Sequence, residues 1–143
     1  MDKRSFGRMG ENAAALWLTG HGCTVLHHNL YIGHDEIDLV AEDETHIIFA
    51  EVKTRHAYPG HSGRYGSPSS AVDAKKSACL IRAAQEYMAS HPDTVKIPRI
   101  DVVEVYADPM SEEFRVLDVV WMKNAVKKTP KFGRKSKYTS YND

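Results

Sequence analysis

Two apolar segments of the sequence are each interrupted by charged residues. Asp38 lies within the segment EIDLVA, and Glu51 and Lys53 lie within the segment HIIFAEVKT. A buried carboxylate or amine costs several kcal/mol unless it is paired with an opposite charge or bound to a ligand. Because side chains alternate along a strand, Glu51 and Lys53 share one face. The pattern indicates either a Glu–Lys ion pair on a solvated face or a functional site.

A β-hairpin would bring the charged residues of the two segments together. Residues 42–44 (EDE) predict a turn, which places Asp38 on one strand close to Glu51 on the next. Two adjacent carboxylates repel each other unless a positive charge lies between them, and carboxylate oxygens are the ligands that Mg²⁺ prefers. A divalent cation, Mg²⁺ or Mn²⁺, is therefore predicted there. Lys53 would then be placed to contact a phosphate oxygen or to orient a water molecule.

Hydrophobic periodicity around these segments predicts one α/β domain. Helices are predicted over residues 6–19 and 70–90, and strands over residues 23–31, 36–41, 46–54, 100–106 and 114–121. The order α-β-β-β-α-β-β predicts a mixed sheet flanked by helices. The first helix is expected to bury Met9, Ala13, Leu16 and Trp17. In the second strand, Ile37 and Leu39 are expected to share one face and Glu36 and Asp38 the other.

Charge and composition divide the chain into a body and a tail. The sequence has 19 basic and 19 acidic residues, but six of the basic ones lie in residues 127–137, where there is no acid. We predict a domain over residues 1–122, more acidic than basic, and a basic, flexible tail over residues 123–143. That tail is either a nucleic-acid arm or a solvated terminus. The glycines and prolines of residues 56–69 predict a long loop.

Composition also excludes several classes of protein. No segment is long and apolar enough to span a membrane, and the N-terminal residues lack the apolar stretch of a signal peptide, so a cytoplasmic protein with no membrane partner is expected. Cys23 and Cys79 form no CxxC pair, and the histidines show no HExxH spacing. A redox pair and a zinc enzyme are therefore not expected.

The charged residues resemble a known active-site pattern. Asp38, twelve intervening residues and then Glu51, Val52 and Lys53 match the PD-(D/E)xK nuclease superfamily. Further segments follow in the order typical of the YraN-type family of small bacterial proteins, namely residues 10–14 (GENAA), Asn29, residues 36–41 (EIDLVA), residues 49–55 (FAEVKTR), residues 71–72 (AV), Lys76, residues 83–84 (AA), Tyr87 and residues 99–103 (RIDVV). That family is similar to archaeal Holliday-junction resolvases and other restriction-endonuclease-like folds. The resemblance covers about residues 5–122.

The resemblance implies roles for four of these residues. Asp38 and Glu51 would hold the metal ion, and Lys53 would contact the scissile phosphate or the attacking water. Glu11 in the first helix would complete the metal site. The alternative for Glu11 is a purely structural one, because an acid near the start of a helix interacts favourably with the helix dipole.

Three further charged residues have two interpretations each. Arg55 and Lys76 are candidate phosphate or DNA contacts. The alternatives are a solvated charge at a strand end for Arg55, and a helix lysine whose amine snorkels to the surface for Lys76. Asp101 is interpreted as structural, paired with Arg99 or another neighbour, in preference to a metal ligand.

The fold implied by the resemblance is an α/β restriction-endonuclease-like domain, and the implied function is a Mg²⁺-dependent endonuclease that acts on structured or branched DNA. Because a DNA junction has two-fold symmetry, a homodimer is expected by analogy. One alternative is an adaptor that keeps the nuclease fold and binds nucleic acid or protein without cleaving. Another is a structural protein whose hairpin carboxylates merely pair with nearby cations.

Overall fold

The computed structural model describes residues 1–59 and 72–126. Its elements are α1 (Lys3–Gly20), β1 (Thr24–Ile32), β2 (Asp35–Glu42), β3 (His46–His56), α2 (Ala74–Ser90), β4 (Ile97–Ala107) and β5 (Val116–Met122). Helices and strands follow one another in the predicted order. The loop predicted over residues 56–69 and the tail predicted over residues 123–143 lie largely outside the described residues. Neither described helix is long and apolar enough to span a membrane.

The five strands form one mixed sheet in the order β1-β2-β3-β4-β5. Neighbouring strands pair antiparallel, except that β3 and β4 are parallel, from His46 opposite Ile97 to His56 opposite Ala107. A parallel pair needs a crossover connection, and α2 lies within that connection. The predicted mixed sheet with flanking helices is therefore confirmed.

Each face of the sheet is covered by one helix. Leu18 of α1 packs in a cluster with Ile48 of β3, and Leu80 of α2 packs in a second cluster with Phe49. Because Ile48 and Phe49 are consecutive in β3, the two clusters lie on opposite faces of the sheet. A strand covered on both faces is expected to be apolar where it is buried, which makes the buried charged residue Glu51 in β3 an exception.

The buried face of α1 differs from the predicted one. The structure buries Gly10, Ala14, Ala15 and Leu18, whereas Leu16 is 74% exposed and Met9 is also exposed. Ala13 and Trp17 are only partly buried. Because the side chains at positions 10, 14 and 15 are small, the helix can lie close to the sheet. The large side chain of Leu16 would hold it away from the sheet.

Helix α1 lies close against Thr54 of β3 at Gly10, and replacing Gly10 with alanine is expected to lower the free energy of unfolding. A Cβ atom at Gly10 would overlap the β-branched side chain of Thr54, which has little freedom to move away. Overpacking of this kind costs about 1–3 kcal/mol. The matched control is Gly7→Ala, because a Cβ at Gly7 meets nothing within 4 Å. That change should stabilise the helix by about 0.5–1 kcal/mol. Urea unfolding of the two variants measures the difference, and equal effects would contradict the close packing.

Candidate functional site

The second strand separates from the third at Asp38. Residues 39–42 of β2 pair with residues 47–50 of β3, and the pairing goes no further toward Asp38. The Asp38 carboxylate instead accepts a hydrogen bond from the Val52 backbone N–H, with an Oδ2–N distance of 2.8 Å. A side-chain oxygen thus replaces a strand carbonyl as the acceptor. The two strands form a fork, and Asp38 lies at its opening.

The alternation of side chains breaks at this fork. Ile37 packs in the cluster under α2, whereas Leu39 packs in the cluster under α1. The prediction that these two residues share one face is therefore wrong. Asn29, on the neighbouring strand β1, has a φ of 48°, so the backbone departs from the regular pleat on that strand as well. A strand without a complete ladder of hydrogen bonds is less constrained to regular alternation.

The structure brings Asp38 and Glu51 together, as the hairpin predicted. Burial of the Asp38 carboxyl and the neighbouring charge of Glu51 raise the pKa of Asp38 to about 8, and the charge of Glu11 contributes. Glu51 is only 5% exposed, and its Oε1 atom is buried without a hydrogen-bond partner. Two carboxylates in such surroundings cannot both ionise without a compensating positive charge.

Two lysines flank the Glu51 carboxylate. Lys53 Nζ lies 3.5 Å from Oε2, and Lys76 Nζ lies 3.6 Å from Oε1. The side chains are 35% and 36% exposed, so each amine reaches solvent. The Glu–Lys ion pair that the sequence left as an alternative is therefore present. This ion pair does not explain Asp38. The Asp38 carboxylate lies beside Glu51, and within the described residues it has no ion pair with a cation.

Glu11 lies close to this pair but has a different partner. Its Oε1 atom accepts a hydrogen bond of 3.0 Å from Asn29 Nδ2, which also donates to Glu36 Oε2 at 3.0 Å. The Glu11 charge is near enough to help raise the pKa of Asp38. In residues 1–59 and 72–126, no three His, Cys, Asp or Glu side chains are grouped closely enough to hold a metal ion as they stand. The structure thus pairs Asp38 with Glu51 and holds Glu11 on Asn29 beside them.

Arg55 is bound to a buried acid that the sequence analysis missed. Its Nε atom lies 2.7 Å from Glu104 Oε2, and the Tyr106 hydroxyl donates to Glu104 Oε1 at 2.8 Å. Glu104 is fully buried, and burial together with this hydrogen bond raises the pKa of Tyr106 to about 12. The sequence did contain a signal for this pair. Glu104 is an acid within the apolar strand segment VVEVY, and such an acid needs a basic partner such as Arg55 of β3. In the structure, Arg55 therefore pairs with Glu104, and contact with a phosphate stays a prediction.

Replacing Arg55 with alanine is expected to lower the free energy of unfolding by about 3 kcal/mol, because Glu104 would remain buried without its cation. Urea unfolding at neutral pH measures this loss. A second change, Glu104→Gln, should restore part of the stability in the Arg55→Ala background, since a neutral amide is less costly to bury than a carboxylate. An Arg55→Ala protein as stable as the wild type would contradict the ion pair.

Asp101 has the structural role that the sequence indicated. Its fully buried carboxylate accepts two hydrogen bonds of 2.9 Å from the Arg99 guanidinium. It also accepts hydrogen bonds from Trp121 Nε1 at 2.9 Å and from the Asn124 backbone N–H at 2.8 Å. Four donors occupy the acceptor positions of this carboxylate, so it holds the end of β5 against β4.

A hollow of about 510 Å³ adjoins the fork. Lys53 of β3 and Glu11 of α1 line this hollow. Phe6 of α1 and Phe114, just before β5, form apolar parts of its wall. Lys53 therefore contacts Glu51 and also borders a solvent-accessible space. Lys76, on α2, pairs with the same carboxylate but does not line this hollow.

The two acids of the fork have the chemistry of ligands for a divalent cation. Glu51 Oε1 is buried without a hydrogen-bond partner, and burial together with the Glu51 charge raises the pKa of Asp38. Carboxylate oxygens are hard ligands of the kind that Mg²⁺ and Mn²⁺ bind. Asp38 and Glu51 are the residues that could hold such an ion, with Glu11 beside them.

Comparison with known proteins places the chain in a family. The model of the uncharacterised protein family UPF0102 matches residues 10–105. The chain belongs to the UPF0102 family. A UPF0102 protein of Caldanaerobacter subterraneus is 38% identical over 109 residues, which cover 76% of this chain and 85% of that protein. A UPF0102 protein of Caldicellulosiruptor saccharolyticus is 35% identical over 125 residues, which cover 87% of this chain and 99% of that protein.

Membership of UPF0102 confirms the resemblance to the YraN-type family. A further UPF0102 protein, from Alcanivorax borkumensis, is 36% identical over 124 residues, which cover 86% of this chain and 92% of that protein. The UPF0102 match over residues 10–105 includes every candidate site residue, namely Glu11, Asp38, Glu51, Lys53, Arg55 and Lys76.

Proposed function

We propose that this UPF0102 protein is a metal-dependent endonuclease with a restriction-endonuclease-like fold, and that it hydrolyses phosphodiester bonds in structured or branched DNA. The observation that carries the proposal is the pair of carboxylates at the fork, Asp38 against Glu51, with the Lys53 amine 3.5 Å from Glu51. This pair occupies the positions of the PD-(D/E)xK pattern. Because a DNA junction has two-fold symmetry, we expect the active form to be a homodimer.

Each residue of the fork has a part in this function. Asp38 and Glu51 would hold Mg²⁺ or Mn²⁺, and Glu11 would support the ion from α1. The bound cation would supply Lewis-acid catalysis and a water of lowered pKa. The hydrogen bond from Val52 N–H fixes the Asp38 carboxylate in place before any ion arrives. Preorganised ligands of this kind need little rearrangement during the reaction.

Lys53 would act on the phosphate. Its amine is about one-third exposed and borders the hollow, so a phosphate oxygen can reach it from solvent. A compact ammonium placed there stabilises the negative charge that develops on the transferred phosphoryl group. Water is the nucleophile in this scheme, and no serine or cysteine of the chain is needed.

A cleavage assay tests the proposal. Wild type and the double variant Asp38→Asn/Glu51→Gln, purified in parallel, would be incubated with a four-way junction, a nicked duplex and a linear duplex of matched sequence. Each reaction is run with Mg²⁺, with Mn²⁺ and with EDTA. We expect cleavage of the branched substrate by the wild type only, and only with metal. Intact substrates under all conditions, or equal cleavage by the double variant, would contradict the proposal.

The second candidate function is nucleic-acid binding without cleavage. It is favoured by the two lysines that already pair with Glu51 and by the separate hydrogen bond that holds Glu11 on Asn29. In the same assay this adaptor would bind the junction but leave it intact in Mg²⁺ and in Mn²⁺.

A further inference from the structure

Three cations on the first two turns of α1 have no ion-pair partner among the described residues. These are Lys3, Arg4 and Arg8, which we call the α1 cation patch, and all three are exposed. Other arginines are paired in the structure, such as Arg82 with Asp35 and Arg99 with Asp101. The unpaired charge of α1 is therefore concentrated at one end of the helix.

The α1 cation patch lines a second hollow, of about 730 Å³. Tyr31 of β1, which is 69% exposed, borders the same hollow, and Glu11 and Glu36 also line it. Lys3 and Glu11 line both this hollow and the one that Lys53 borders. The two hollows thus meet along α1. A surface continuous with the fork carries three cations and an exposed aromatic ring.

Within the described residues, the two acids of this hollow keep their charge but form no ion pair with the α1 cation patch. Glu11 and Glu36 both accept hydrogen bonds from the neutral amide of Asn29, each at 3.0 Å. The positive φ of Asn29, which asparagine tolerates better than most residues, belongs to the conformation that holds the amide between them. The arginines and the lysine therefore remain available to an anion from outside.

We propose that the α1 cation patch and Tyr31 bind one strand of a nucleic acid and lead it to the fork. The arginines and Lys3 would contact successive phosphates, and a base would stack on the Tyr31 ring. The inference rests on the proposed function for what happens at the fork, but binding itself needs no cleavage. The charge pattern gives the surface a direction, since phosphate-binding cations lie at one end and the metal-binding acids at the other.

A pair of charge-matched variants of the full chain tests this surface. Arg4→Ala/Arg8→Ala removes two charges from the α1 cation patch. Lys96→Ala/Lys123→Ala removes two charges outside the α1 cation patch, where Lys96 Nζ lies 3.3 Å from Glu42 Oε1 and Lys123 Nζ lies over the Trp121 ring. Affinity for a labelled four-way junction is measured in EDTA over a range of salt concentrations. Alanine is a good helix former, so the α1 variant should fold normally, which its unfolding midpoint checks.

We expect the α1 variant to bind the junction at least tenfold more weakly than the wild type, with a salt-dependence slope reduced by about 1 to 2. The control variant should bind within about a factor of 2 of the wild type, since lost net charge alone has a small effect. Tyr31→Ala should weaken binding of a labelled single strand, whereas Tyr31→Phe should not, because phenylalanine retains the stacking face.

The outcomes separate this inference from the proposed function. Equal affinities of the two double variants would overturn the α1 surface while leaving metal-dependent cleavage intact. Loss of binding in the α1 variant, with no cleavage by the wild type in Mg²⁺ or Mn²⁺, would support the surface and overturn the nuclease. A wild-type protein that binds neither the junction nor the single strand in EDTA, and that cleaves no substrate in Mg²⁺ or Mn²⁺, would overturn both.

Discussion

Replacing Lys53 with alanine is expected to lower the rate of metal-dependent cleavage by about a hundredfold to a thousandfold, whereas Lys76→Ala should change it by less than about tenfold. The two amines are close to equivalent as partners of Glu51, at 3.5 and 3.6 Å and with similar exposure. They differ in position, because Lys53 borders the hollow shared with Glu11 and Lys76 does not. Only Lys53 is therefore placed to reach a phosphate bound there.

The near-equivalence of the two ion pairs makes Lys76→Ala a strict control. In each variant the other lysine still pairs with the buried Glu51 carboxylate, so neither substitution leaves that charge uncompensated and neither variant should unfold. Both variants should still bind the metal ion, since the carboxylates are unchanged. Single-turnover cleavage of the junction measures the two rates. If both substitutions lowered the rate equally, Lys53 would act only by pairing with Glu51, and its role at the phosphate would be refuted.

The second large effect is on stability. In the absence of divalent metal at pH 8, Asp38→Asn is expected to raise the free energy of unfolding by an amount on the order of 3–5 kcal/mol. The pKa of Asp38 is about 8 in the fold, against about 3.9 in an unfolded chain. The folded protein therefore holds a proton that the unfolded chain releases, so wild-type stability falls as pH rises from about 4 to about 8. Asparagine cannot ionise and still offers an oxygen to Val52 N–H.

Urea unfolding of the wild type and Asp38→Asn at several pH values between 5 and 9 measures this effect. The control is Asp35→Asn, because the hydrogen bond from Arg82 holds the pKa of Asp35 below its ordinary value, and its loss should not stabilise the protein. Adding Mn²⁺ should then stabilise the wild type and not Asp38→Asn, since a ligand stabilises the state that binds it. Parallel pH profiles for the wild type and Asp38→Asn would contradict the raised pKa.

Most of the architecture could be predicted because the spacing of apolar residues along the sequence indicates which side chains are buried. The two-sided apolar run of β3 and the helical spacing in α2 led to the correct order of elements. The buried face of α1 could not be found in this way. Hydrophobic patterns give weight to large residues such as Leu16, whereas the close contact of α1 depends on Gly10 and Ala14. The position of the helix is set by which side chains are small enough to approach Thr54 and its neighbours.

The candidate site could be predicted where a charged residue stands within an apolar segment of the sequence. Glu51 is a charged residue within the buried part of β3, residues 47–52, and the hairpin turn brings Asp38 to it. The same pattern exists at Glu104, but its partner Arg55 belongs to another strand, and only the parallel register of β3 and β4 places the two side chains together. Ile37 and Leu39 lie on opposite faces of the sheet because β2 separates from β3 between them. The position of that separation could not be predicted from the local sequence pattern.

Calorimetric titration of Mg²⁺ and Mn²⁺ into the wild type and Asp38→Asn tests the central claim most directly. We expect the wild type to bind one of these ions and Asp38→Asn to bind neither, because the two carboxylates at the fork form the site. A repeat with junction DNA supplies phosphate oxygens as further ligands and should tighten the binding. If the wild type binds no ion with or without DNA, or if Asp38→Asn binds as well as the wild type, the fork is not a metal site and the nuclease proposal is contradicted.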